Sequence, residues 1–262
     1  MNQAKSMAIP GRELHERPRR RLFAVGMAAA LLLTVLVGFG PTLFLRPAFN
    51  TTRLPLYLYV HGAIITGWFC WLVLQTSLIA HDRPALHRRL GVFGVLLAVA
   101  VIASGLHTTL AFIPHIHAAG IDPSLQPFGA DSAHPASNPL IVSIVSANYS
   151  ALLVFAVLVS CAIVFRRRAD VHGRLMLLAS ISLIGPPALR ISLWLGGSAL
   201  PVRARGGLLI AALLAAMIVR DIRSRGRPHV ATVAGSVFML AATVAFYRGG
   251  VGEAAIGYFQ AR

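Results

Sequence analysis

An all-α, polytopic membrane fold with about seven transmembrane helices is what this sequence predicts, and three observations carry it. Of its 262 residues, 56% are apolar and 12% charged, against roughly 45–50% and about 25% in soluble globular chains. Apolar runs near 20 residues, the length that crosses a hydrocarbon core, recur along the whole chain. The 24 basic residues outnumber the 8 acidic ones and give a net charge of +16, but they gather in short segments between the runs. That is how membrane proteins set their orientation; a nucleic-acid-binding face would be continuous. The expected partner is therefore the lipid bilayer and not a nucleic acid. Disorder and a disulfide scaffold are excluded by the low charge and by only two cysteines, Cys70 and Cys161, which fall in different runs and read as small core residues.

In chain order, residues 1–21 form a basic segment that precedes the first run, roughly 22–45. That run is too long for a cleaved leader and has no small-residue cleavage site after it, so it reads as an uncleaved signal anchor. Spans two to five follow at roughly 57–80, 90–113, 139–165 and 174–195. A sixth run, Gly206 to Val219, gives only about 21 Å of helix, and a seventh lies at roughly 230–247. Counting charges keeps the sixth as a span. With seven spans and a cytoplasmic N-terminus, seventeen Lys and Arg fall inside and six outside, with Arg190 left within a span. The transmembrane domain then covers 22–247, and 248–262 is an extracytoplasmic tail. The long outer loop, 114–138, has four prolines and no Lys or Arg. All eight acids are expected in termini or loops, which argues against a carboxylate-based proton-coupled transporter.

Spans two to five look like two related hairpins. Leu86-His87-Arg88-Arg89-Leu90 and Val171-His172-Gly173-Arg174-Leu175 share an apolar-His-x-Arg-Leu pattern at an offset of 85 residues. The offset places His61 opposite Ser146, with Asn148 nearby, and predicts a four-helix core with spans one, six and seven outside it.

Histidines are the first candidates for chemistry, because neutral imidazole ligates metals and haem iron. His87 and His172 begin spans three and five, at one depth on two helices of the expected core, where a bis-His haem fits. Arg88, Arg89 and Arg174 beside them match propionate carboxylates bidentately. Interfacial anchoring is the plainer role for all of these. His61 shares a helix face with Ile65, Trp68, Leu72 and Gln75, and His107 lies at a similar depth. Together they make a second candidate site, with an interhelical hydrogen bond as the simpler reading. Arg190 follows the Pro186-Pro187 pair that must break or kink span five. It is aimed either at an anion such as a propionate, lipid head or substrate, or at the interface by snorkelling. In the outer loop His115 and His117 fall on one side of an extended segment, with Asp122, Asp131 and His134 in reach, an N/O set suited to zinc or copper. Trp68, Trp71 and Trp194 read as packing and interface belt. No phosphate loop, HExxH, GxSxG or nucleophile–base constellation is present, so no reaction is assigned.

The stretch from His61-Gly62 through Gly67-Trp68 and Gln75 to Leu86-His87-Arg88-Arg89-Leu90-Gly91 resembles a group of bacterial multi-pass membrane proteins of unknown function. The stretch from His172-Gly173-Arg174-Leu175-Met176 to Pro187-Ala188-Leu189-Arg190 is similar to that group's second characteristic part. The likeness covers spans two to five and implies a fold without an activity. More remotely, the core resembles the ascorbate-reducible transmembrane b-type cytochromes, whose four central helices each supply one His to hold two haems. His61, His87 and His172 match three of these ligands, and Ser146 and Asn148 stand where the fourth is expected. The resemblance implies haem b and electron transfer in a bacterial cytoplasmic membrane, with a redox partner or partner subunit. The alternative is an accessory or transporter-like membrane protein without a cofactor.

Overall fold

A computed structural model describes residues 10–49, 54–118, 139–196 and 202–260. The described elements are all helical: α1 (Pro10–Phe39), a π-helical turn (Gly40–Phe44), α2 (Arg46–Phe49), α3 (Leu56–Ala80), α4 (Pro84–Ala118), α5 (Pro139–Val164), α6 (Ala169–Ser182), α7 (Gly185–Trp194), α8 (Val202–Arg225), α9 (Val230–Arg248) and α10 (Val251–Gln260). Five stretches are long and apolar enough to cross a membrane, namely Arg21–Phe44, α3, Pro84–Ala111, Ser143–Val164 and α9. The α6–α7 pair, bent by 49°, makes a sixth if it is one span. The chain is an integral membrane protein of the all-α class.

The bend has a local cause. Pro186 and Pro187 have no N–H, so the carbonyls of Ser182 and Leu183 lose their i+4 donors. The backbone tightens to i+3 bonds, Leu183 N–H to Ser180 O at 3.2 Å and Ile184 N–H to Ile181 O at 3.1 Å. Helical bonding resumes with Ala188 N–H to Ile184 O at 3.0 Å, with both prolines in the first turn of α7, where no partner is required of them. Across from this break lies Gly38 of α1. A Cβ there would stand 2.5 Å from the Pro187 Cβ and 2.7 Å from its Cα, so only glycine permits the approach.

The sixth apolar run lies in α8, and on length and composition α8 does not join the six spans among the described residues. The arginines that bracket the run, Arg203 and Arg205 before it and Arg220 after it, shorten its apolar length. Nevertheless α8 runs antiparallel along the whole bent pair. A Cβ on Gly206 near its start would lie 3.4–3.5 Å from Leu189, Ala188 and Ser192 of α7, and Asp221 near its end pairs with Arg174 of α6.

The bundle is organised around α6, which is buried almost continuously from Arg174 to Ser182. A helix enclosed on all sides needs neighbours on all sides. The expected four-helix core is therefore too small. Trp68, Phe69 and Leu72 of α3 and Val154, Phe155 and Leu158 of α5 share one buried cluster with Met27, Ala28, Leu31 and Val35 of α1, Leu213, Leu214 and Met217 of α8, and Met239 and Ala242 of α9. Helix α4 is the peripheral one: it supplies Ala98 and Val101 to that cluster and exposes Val92, Phe93, Leu96 and Val99. The segment expected as a tail beyond 248 instead forms α10 on α5, with Ile256 fully buried and Gly252 N–H donating to Ser146 Oγ at 3.1 Å.

The acids also depart from expectation. Asp170 occupies the first turn of α6, and Asp221 lies inside α8 with 1% exposure. The expected loop at 114–138 begins later, since α4 continues to Ala118.

Candidate functional site

The loops at 81–83, 165–168 and 226–229 lie at one end of the bundle. His87 and His172 meet there across α4 and α6. Their ring centres are 6.2 Å apart and their planes 82° apart. Each ring is fixed from behind by the helix that precedes its own. His87 Nδ1–H donates to Gln75 O at 3.3 Å, and His172 Nδ1–H donates to Ala162 O at 2.9 Å. A carbonyl only accepts, so Nδ1 carries the proton in both rings and, in the neutral imidazole, each Nε2 keeps its lone pair. This is the arrangement by which proteins orient a metal-ligating His. Among the described residues neither Nε2 has a hydrogen-bond partner.

Gln75 adds a feature that sequence reading placed on the right face but gave no role. It is 8% exposed, on the interior stripe of α3 with Trp68 and Leu72, and both atoms of its amide are buried without a partner. An unpaired buried amide costs about 1–3 kcal/mol, so this end of the bundle holds polar capacity that the protein itself does not use.

The arginines divide. Arg174 is committed elsewhere: Nη2 lies 2.5 Å from Asp221 Oδ1, Nε lies 3.1 Å from the same oxygen, and Nη1 donates to Asp170 O at 2.6 Å. Asp221 Oδ2 further accepts from Thr232 Oγ1 at 2.5 Å and from the His229 N–H at 3.3 Å. His229 Nδ1 accepts the Ala231 N–H at 3.0 Å and so caps α9, which leaves Nε2–H to donate to Asp170 Oδ2 at 3.1 Å. This network fastens α6, α8 and α9 together. Its readable signal was Asp221 itself, the only acid between Asp170 and Glu253 and set in an arginine-rich run. Arg88 and Arg89 remain exposed beside His87.

In the second candidate pair each ring has its own neighbour, His61 on Ser104 of α4 and His107 on Tyr57 of α3. His61 Nδ1 shares a hydrogen bond with Ser104 Oγ at 3.1 Å, an interhelical contact from α3 to α4. His107 packs edge-on against Tyr57 at 5.4 Å. Ser146, opposite His61 in the expected duplication, caps α10. Trp68 is interior packing, with Nε1–H on Ser180 Oγ at 3.1 Å and its ring on Phe155, whereas Trp194 is 42% exposed.

For the outer site, the backbone of His115 and His117 is helical and not extended. His134, Asp122 and Asp131 lie outside the described residues. Among the described residues no group of three or more His, Cys, Asp or Glu is arranged so that it could hold a metal ion. No known protein family, curated protein or solved structure matches the chain.

Proposed function

We propose that this integral membrane protein carries electrons in a bacterial cytoplasmic membrane, using a b-type haem held by His87 and His172. The observation that supports the reading best is the pair of rings held by Nδ1–H bonds with both Nε2 atoms unclaimed. Ring centres 6.2 Å apart suit two imidazoles sharing one ion at bonds of about 2 Å. The donor set fits. Gln75 would supply an amide toward the cofactor's edge, and Arg88 and Arg89 would pair with its carboxylates, while Arg174 remains on Asp221. A haem supplies a one-electron couple, and the protein supplies ligand basicity, orientation and burial. The basic end faces the cytoplasm by the distribution of Lys and Arg, and a soluble or membrane redox partner would meet it there.

The test is a reduced-minus-oxidised visible spectrum of the purified protein expressed with ample haem. A b-type difference spectrum is expected, and it should be lost in His87→Ala/His172→Ala while helicity is retained. A colourless, fully helical wild-type protein overturns the reading.

A second reading, an accessory or transporter-like protein without a cofactor, is favoured by one observation: α1 and the α6–α7 pair are interrupted where they touch, and interrupted helices line sites in transporters.

A further inference from the structure

Arg190 sits where those two interruptions meet. Gly38 abuts Pro187 at the α6–α7 break, and the next residue, Phe39, carries the Arg190 guanidinium over its ring at 4.6 Å. Immediately beyond Phe39, α1 passes into its π-helical turn. An arginine near the end of a span ordinarily snorkels outward, and on α7 outward means toward Trp194. Arg190 does the reverse. Its Nη1 reaches back four residues to Pro186 O at 3.4 Å, toward the break.

That long contact is the one hydrogen bond of the guanidinium recorded among the described residues, and no Asp or Glu among them pairs with it. The carboxylates that compensate Arg174 and Arg225 lie at the opposite end of α6. From Ala169 to the break is about 21 Å of helix, too far for them to serve here. A half-buried cation within an apolar helix that no described carboxylate compensates is costly unless an anion joins it. A guanidinium stacked on an aromatic ring keeps its edge donors free for two parallel bonds to one oxyanion.

We infer that Arg190, braced on Phe39 at the crossing of the two helix breaks, binds a phosphate-type oxyanion, carried either by a lipid headgroup or by a free solute. The site does not depend on the redox reading, because it lies at the other end of the helix from His172.

The test is the melting temperature of the detergent-purified full chain, titrated separately with phosphatidylglycerol, diacylglycerol and inorganic phosphate, with bound lipid counted by native mass spectrometry. Saturable stabilisation by phosphatidylglycerol, absent with diacylglycerol, supports a headgroup; stabilisation by inorganic phosphate supports a free anion. In either case Arg190→Gln should weaken the apparent affinity by ~10-fold or more, Arg190→Lys should weaken it less, and Arg248→Gln should leave it unchanged. A wild-type protein that responds to neither anion and retains no phospholipid overturns the proposal without any variant being needed. So does a response equal in wild type and Arg190→Gln.

Discussion

Asp221 is a single carboxylate that accepts from Arg174, Thr232 and the His229 backbone, with only 1% of its side chain exposed. Removing one partner of such a pair leaves a buried charge uncompensated, which costs about 3–5 kcal/mol. Asp221→Ala should lower the melting temperature markedly, and Asp221→Leu/Arg174→Met should lower it less than Asp221→Ala does. Thermal unfolding in detergent measures both; a loss in the double variant equal to the sum of the losses from changing each residue alone would mean that the two act independently. The same residue shows what a sequence conceals. Arg174 was legible as a cation near a candidate cofactor, but which anion it meets depends on α8 returning beside α6, 47 residues later. His87 and His172 were easier, because their shared pattern at an offset of 85 residues already placed them at one depth on two helices. Gln75 lay on a face the periodicity identified, yet its unpaired amide becomes visible only when the neighbours are in place.

At the scale of elements, the two histidines repeat one stitch: the first-turn His of an outgoing helix donates back to a carbonyl near the end of the helix before it. The equivalence of the α3–α4 and α5–α6 hairpins thus extends from sequence pattern to hydrogen bonding. The break between α6 and α7 was legible too, because two adjacent prolines leave a helix no alternative. The capping of α9 was not, since His is an uncommon cap and nothing local marks His229 as one. His229→Ala should cost about 0.5–2 kcal/mol and loosen the first turn of α9, whereas His229→Asn, which keeps an acceptor at that position, should recover most of the loss. Amide hydrogen exchange at Ala231 reads the cap directly, and unchanged protection there in His229→Ala would show that the ring does not hold the turn.

For the molecule as a whole, composition was enough to establish an all-α membrane fold, because apolar runs of bilayer length have few other uses. The core was not readable in the same way. Sequence symmetry pointed to four central helices, but symmetry within a chain says nothing about which helix the others enclose, and α1, α8 and α9 close around α6 as well. Orientation is open to a direct measurement. In a Cys70→Ser/Cys161→Ser background, Arg167→Cys at the basic end should react with a membrane-impermeant maleimide only after the cells are permeabilised, and Glu253→Cys should react without it. The reverse pattern would place the basic end outside and contradict the charge distribution's usual meaning.

The enclosure of α6 also bears on how the protein is made. The helix most enclosed by its neighbours carries Arg174, Ser180 and Ser182 among its buried residues, so taken alone it is poorly suited to a bilayer. Helices α1, α3 and α5 precede it and supply a partial wall. Asp221, the carboxylate with which Arg174 pairs, is synthesised later, in α8. The burial of this segment is therefore a property of the assembled bundle and not of the α5–α6 hairpin alone.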